Sequence, residues 1–273
     1  MSVLTAPTAS FFSAADPQGE FARDGFVLHP EPVLAPDLIE RAVRGMDALH
    51  AGEYETGRSP QPSIWNPGDS LAKLIKIEMP QLANRAIWEV VSHAGIGELA
   101  ARITGAKFVQ VWWVQHLVKP STSPGAAATA NIGWHQDRNY WQVWEEGSEL
   151  FTAWVALTDV TEEAGAMRFL RGSHRWGLQT SDFYGQDHDQ QRETIQVPDG
   201  QRWEEVPAVL RPGGVSFHHH LTYHASGPNH SGAPRRSFAL HMRTERSAPV
   251  EGLRKGLTQF IDDETKCPVV YRA

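Results

Sequence analysis

Apolar residues recur at helical spacing before Gly105 and alternate with polar ones after it, so the chain divides into a helical first part and a stranded second part. The stretch EFARDGFVLHP predicts a short helix that passes through Gly25 into a strand. In APDLIERAVRGMDALHA, Leu38, Ala42, Met46 and Leu49 lie on one helical face. Residues 51–72 carry three prolines and three glycines without a period, which predicts a long loop. Two helical stretches follow, 81–93 and 96–104, separated at Gly95. Past Gly105, runs rich in β-branched and aromatic residues predict strands at 107–118, 150–159, 166–170, 214–220 and 235–244. Helices followed by strands indicate an antiparallel β-sandwich or barrel covered by N-terminal helices. The polar stretch 179–205 breaks the strand rhythm and predicts an insertion loop with one short strand at 194–197.

Composition narrows the function classes. The 273 residues, 41% hydrophobic, can fill one large core, and one domain over 1–273 is expected, with 1–17 as a loosely held arm. A formal charge of −7 and the lack of any Lys/Arg cluster argue against nucleic-acid or membrane partners and toward a small-molecule substrate, for a monomer or homodimer. The single Cys267 cannot form an internal disulfide, and no secretory leader or membrane-length apolar run is evident, so a cytoplasmic location is expected.

The candidate chemistry is metal chemistry. In GWHQDRNYW, His135 and Asp137 stand two apart at the end of a predicted strand, so alternation directs both to one face. Two histidines and one carboxylate on one face of an octahedron form the ligand set of non-haem Fe(II) oxygenases. A lone H-x-D pair is weak evidence without a third ligand. FHHHLTYHASGPN offers four histidines within seven positions, His218, His219, His220 and His224. His218 and His220 share a strand face, His219 takes the other, and His224 stands at the strand's end before a turn.

The chain resembles the phytanoyl-CoA dioxygenase family of Fe(II)- and 2-oxoglutarate-dependent oxygenases. The matching pieces keep the family's order: DGFVL, the KP at 119–120, WHQDRNYW, WVALTDVTEEAGAMRFLRGSH and FHHHLTYHASGPNHSGAPRR. This resemblance implies a double-stranded β-helix, the jelly-roll or cupin-like barrel, mainly β with N-terminal α-helices. It implies that His224, which opens the H-x-S-G-x-N turn, joins His135 and Asp137 as the metal and catalytic triad, and that the other three histidines do not. The implied cofactors are Fe(II), the cosubstrate 2-oxoglutarate, and O2. The reaction implied is oxidative decarboxylation to succinate and CO2 coupled to hydroxylation of a substrate C–H. Desaturation or ring formation uses the same triad. Halogenating relatives have a small residue where this chain has Asp137.

A cosubstrate anchor is expected as well, because a guanidinium grips a distal carboxylate with two parallel hydrogen bonds. Arg235 shares a strand face with Ser237, Ala239 and His241, whereas Arg236 shares one with Phe238, Leu240 and Met242. The polar face selects Arg235, and the family spacing of eleven residues after the distal histidine agrees. Ser226 resembles the family's helper hydroxyl on that carboxylate. Gln136 is a further candidate cofactor-binding residue, and Trp113, Gln115, Trp134 and Tyr140 are candidates for the substrate pocket. A cupin-like binding protein or a zinc hydrolase could also draw His and Asp from a barrel, but neither accounts for Arg235. The segments 51–72 and 179–205, with Tyr54, Trp65, Phe183, Tyr184 and Trp203, are expected to be lids that exclude water from a reactive oxidant.

Overall fold

The structure, a computed structural model, describes residues 16–123, 130–180, 182–254 and 256–273. The arm expected over 1–17 therefore lies outside the described residues up to position 15, and Pro17 already opens the first helix, α1 (Pro17–Asp24). Its first turn is capped by Asp16, whose side chain accepts from the Gly19 amide. It ends at Gly25, in the left-handed region (φ 83°) that suits glycine. Then come β1 (Phe26–His29), α2 (Pro36–His50), β2 (Ile75–Glu78), α3 (Arg85–Val91) and α4 (Ala94–Thr104). The break between the last two falls at Ser92–His93, so Gly95 lies inside α4 and does not separate the helices.

The second part is stranded: β3 (Phe108–Lys119), β4 (Ile132–His135), β5 (Leu150–Ala156) and β6 (Met167–Leu170) come first. A short helix, α5 (His188–Thr194), replaces the strand expected at 194–197. Every residue of α5 is at least partly exposed, so no apolar period announced it. The chain continues through β7 (Glu205–Pro207), β8 (Val215–His219), β9 (His224–Ser226), β10 (Arg235–Thr244) and β11 (Val269–Arg272).

These strands form two antiparallel sheets. The larger runs β1-β8-β5-β10-β3-β11, with β2 added beside β3, and the smaller runs β4-β9-β6-β7. Facing each other, they form the jelly-roll barrel of a double-stranded β-helix. The large sheet's outer face carries Phe238, Leu240 and Met242 of β10, packed with Leu38, Met46, Ile87 and Leu99 of the helices in one core. Truncating a side chain such as the fully buried Phe238 to alanine costs about 3–5 kcal/mol. Between the sheets, Phe26, Trp154, Met167 and Phe169 form a second apolar cluster. Above it the inner face turns polar. The β10 register sets Ala239 beside Trp154 and Gln115, and His241 beside Thr152 and Trp113. No helix among the described residues is long and apolar enough to cross a membrane.

Candidate active site

Two short strands of the small sheet bring the first two groups together. In the β4–β9 ladder His135 and His224 are direct antiparallel partners, so their side chains leave the same face at the same height. Asp137 follows His135 in a short 3-10 helix, Asp137–Tyr140, that bends the carboxylate back toward them. His135 Nδ1 donates to the Gly133 carbonyl at 2.8 Å and His224 Nδ1 to the Thr222 carbonyl at 3.0 Å. Those bonds commit the Nδ1 protons and leave both Nε2 lone pairs inward. Each Nε2 lies 3.7 Å from Asp137 Oδ1, and the three ligand atoms fall within 4.8 Å of one another. Two neutral imidazoles and a carboxylate aimed at one point fit an Fe(II)-type divalent metal.

The electrostatics agree with that donor set. Burial pushes both imidazoles toward the neutral form, and His135 and His218 push His224 further down. Burial alone would raise the Asp137 carboxyl, but His224, His218 and His241 outweigh it and hold the group well below the usual carboxylate range. Asp137 Oδ2 accepts from Thr152 Oγ1 at 3.0 Å. With the only hydroxyl proton used there, the contact from Thr152 Oγ1 to His241 Nδ1, also 3.0 Å, requires the imidazole to donate. His218 Nε2 lies 3.3 Å from the same Oδ2, with its ring centroid 4.4 Å from that of His224. His219 is on the sheet's opposite face, against Phe21 and His174.

A cavity leads from this point into the barrel, past Trp154, Met167 and Ala239 to Ser226 and Arg235. Arg235 is 4% exposed, and burial lowers its guanidinium to about 10. Its Nη1 reaches the Gly165 carbonyl and Ser226 Oγ (3.1 Å), while Nε has no protein partner among the described residues. A buried, under-satisfied guanidinium in the lining of a cavity fits a carboxylate. Gly165 is needed here: at φ +69° a Cβ would come within 2.8 Å of the Gly227 and Pro228 carbonyls. Arg236 points the other way and pairs with Asp47 of α2 at 2.6 Å.

A second cavity opens from the same metal-facing groups in another direction. Trp113, Gln115 and Tyr140 line it, as do Lys76, Glu78 and Trp141. Phe183 borders both cavities, and its ring meets that of His135 edge-on at 4.9 Å. Two of the residues singled out from the sequence are turned elsewhere. Trp134 packs against Trp203 and His188 behind the small sheet, and Gln136 bonds the Gly177 and Leu221 carbonyls and the Gln179 amide. Neither lines either cavity. Both flank His135 in sequence, so strand alternation was the signal that directs them away. Sequence reasoning missed Lys76, Glu78, Thr152 and His241. Of these, His241 shares the polar face of Arg235 and was accessible to the same argument.

Of the two expected lids, 51–72 has its large aromatics in the main core: Trp65 is buried beside His50, and Tyr54 packs against the same cluster. The other contributes Phe183 and Tyr184 to the second cavity.

The family model described as Phytanoyl-CoA dioxygenase (PhyH) matches residues 21–237. The chain belongs to the phytanoyl-CoA dioxygenase family. Among its relatives, this family member is 24% identical over 208 residues to "Dioxygenase cdmD" of Talaromyces verruculosus, covering 72% of this chain and 60% of that one. It is 27% identical over 192 residues to "Probable alpha-ketoglutarate-dependent hypophosphite dioxygenase" of Stutzerimonas stutzeri, covering 68% and 62%. The chain thus spans about three fifths of the length of these two curated relatives. Among solved structures, it overlays on the non-heme alpha ketoglutarate dependent carbocyclase SnoK from nogalamycin biosynthesis with a TM-score of 0.68, at 24% identity and 92% coverage of both chains. The non-heme monooxygenase ThoJ gives 0.64 at 25% identity, covering 87% of this chain and 80% of that one. At such identity the SnoK likeness shows the fold alone.

Proposed function

We propose that this protein is a non-haem Fe(II)- and 2-oxoglutarate-dependent dioxygenase that hydroxylates a C–H bond of a small-molecule metabolite, with release of succinate and CO2. The observation that carries the reading is the pair of inward Nε2 atoms of His135 and His224 opposite Asp137 Oδ1, in a cavity that Arg235 also lines. A zinc hydrolase or a cupin-like binding protein has no use for that buried guanidinium. Family membership and relatives named as dioxygenases support the same reading.

In this reading His135, Asp137 and His224 hold the iron, and Arg235 with Ser226 grips the distal carboxylate of 2-oxoglutarate. Bound there with O2, the metal and cosubstrate supply the oxidising power for C–H attack. The chain's own residues do the rest. The two Nδ1–H bonds fix the imidazole rings, and Thr152 fixes the carboxylate, so the ligand atoms face one point without reorganisation. Phe183 and Trp154 provide apolar walls that exclude water. Asp137 occupies the place left open in halogenating relatives, which favours hydroxyl over halide transfer.

Incubating purified protein with Fe(II), 2-oxoglutarate and O2 tests the reading. O2-dependent succinate formation that stops in His224→Ala is expected. Absence of succinate from correctly folded, iron-loaded protein, in the presence of a broad metabolite extract, would overturn it.

A further inference from the structure

The second cavity contains an ion pair that no part of the triad or the anchor uses. Lys76 and Glu78 both project from one face of β2, two positions apart, and each side chain is only 16% exposed. Glu78 is saturated. Its Oε2 accepts from Trp113 Nε1 at 2.6 Å, and its Oε1 from Gln115 Nε2 at 3.4 Å and Lys76 Nζ at 3.3 Å. Lys76 keeps unused donors: an ammonium has three, and Glu78 is its one polar side-chain partner among the described residues. The ammonium also stands 5.2 Å from the Phe183 ring centroid, a cation–π contact that holds it over the cavity.

Five of the other lining residues are aromatic, with Gln115, His241 and Leu257 beside them. Trp113, Tyr140, Trp141, Phe183 and Tyr184 surround the space between the ion pair and the metal-facing atoms of His135 and Asp137. Flat, rigid side chains around a cavity favour a planar guest through stacking and edge contacts. A half-buried cation with unused donors favours an anionic oxygen on that guest, because a charge-assisted hydrogen bond is strongest where water is scarce.

We infer that the second cavity takes a planar aromatic substrate bearing a carboxylate or phenolate oxygen, which docks on Lys76 and presents the ring system to the metal centre. Glu78, locked by Trp113 and Gln115, is the positioning residue that fixes the ammonium. The assignment of this cavity to substrate rests on the oxygenase reading, in which the other cavity holds the cosubstrate.

Calorimetric titration of the metal-free protein, without 2-oxoglutarate, tests the inference independently of any iron chemistry. The probes are 2-naphthoate and its neutral counterpart 2-naphthamide. Wild type is expected to bind the carboxylate about ten-fold or more tightly than the amide. Lys76→Met should abolish that preference, Lys76→Arg should keep most of it, and Arg235→Ala should leave it unchanged. The double variant Lys76→Met/Glu78→Gln, which leaves no unpaired carboxylate, should behave as Lys76→Met and guards against misfolding. Equal affinities in wild type, no binding of either probe, a preference that survives Lys76→Met, or one lost in Arg235→Ala would each overturn the inference. Whether the same protein forms succinate is a separate result, so failure of one reading does not mask the other.

Discussion

Thr152 Oγ1 donates to Asp137 Oδ2 at 3.0 Å, which leaves Oδ1 as the oxygen that faces His135 and His224. Thr152 lies on β5, in the large sheet, so this bond ties the metal-facing groups of one sheet to the other. Replacing Thr152 by valine keeps the shape but removes the donor, and the carboxylate is then free to rotate. Fe(II) affinity should fall about 10- to 100-fold, as for other supporting contacts at metal sites. Thr152→Ser should restore most of it. Unchanged Fe(II) affinity in an anaerobic titration of Thr152→Val would show that Asp137 needs no such support.

The two neighbouring arginines should separate cleanly. Arg235 is buried and lines the first cavity, so its loss should weaken 2-oxoglutarate binding by about 2–5 kcal/mol. Arg236 pairs with the exposed Asp47 on the outer surface, and its loss should cost under about 1 kcal/mol of stability. The KM for 2-oxoglutarate in Arg235→Ala and Arg236→Ala measures the difference, and equal increases would contradict the alternation argument.

How much of this was legible beforehand depended on how local each signal is. The strand that carries Arg235 announced its two faces, because alternation over ten residues leaves little freedom in which side chains share a face. The helical N-terminal part was equally plain from its periodicity. β9 escaped notice because three residues, His-Ala-Ser, carry no period and read as a turn. β2 did also, as four residues wedged between a loop and Pro80, and with it went Lys76 and Glu78. Thr152 lay inside a strand that was expected, but nothing local marks a threonine as the partner of a carboxylate fifteen residues away. Trp65 looked like a lid residue and turned out to be core, since its burial against His50 depends on where α2 lies.

Acid should destabilise the fold through a histidine pair outside the site. His116 Nε2 and His50 Nε2 are 3.0 Å apart beneath α2, and His116 is fully buried. Burial first, and then His50 and Arg236, hold His116 well below its ordinary value. Its folded pKa is thus depressed below the unfolded value of about 6.5, so its stability contribution is complete above that pH and is lost as pH falls below it. The pH dependence of chemical denaturation should therefore be shallower in His116→Phe below pH 6.5, by about one proton or 1.4 kcal/mol per pH unit. An identical slope in the variant would show that His116 takes up its proton within the folded state.

Segment 182–191 is fastened to β4 at a glycine. The Gly133 amide donates to the Phe183 carbonyl at 2.9 Å, and a Cβ at Gly133 would fall 2.2 Å from the Asp182 carbonyl. Gly133→Ala should therefore displace the segment and lift Phe183 off the cavities. Limited proteolysis should then cut faster within 179–205 than in wild type, while 51–72, anchored by Trp65, is unaffected. Equal cleavage rates would mean that the segment is held by other contacts.

The most direct test of the account is an anaerobic titration of Fe(II) and 2-oxoglutarate into the purified protein, followed by visible absorption. Wild type should develop a weak charge-transfer band that saturates at one iron and one 2-oxoglutarate per chain. His135→Ala, Asp137→Ala and His224→Ala should lose it, and His219→Ala, whose side chain lies on the opposite face, should retain it. A band that persists in His224→Ala, or is lost equally in His219→Ala with the fold intact, would contradict the assignment of the metal to His135, Asp137 and His224.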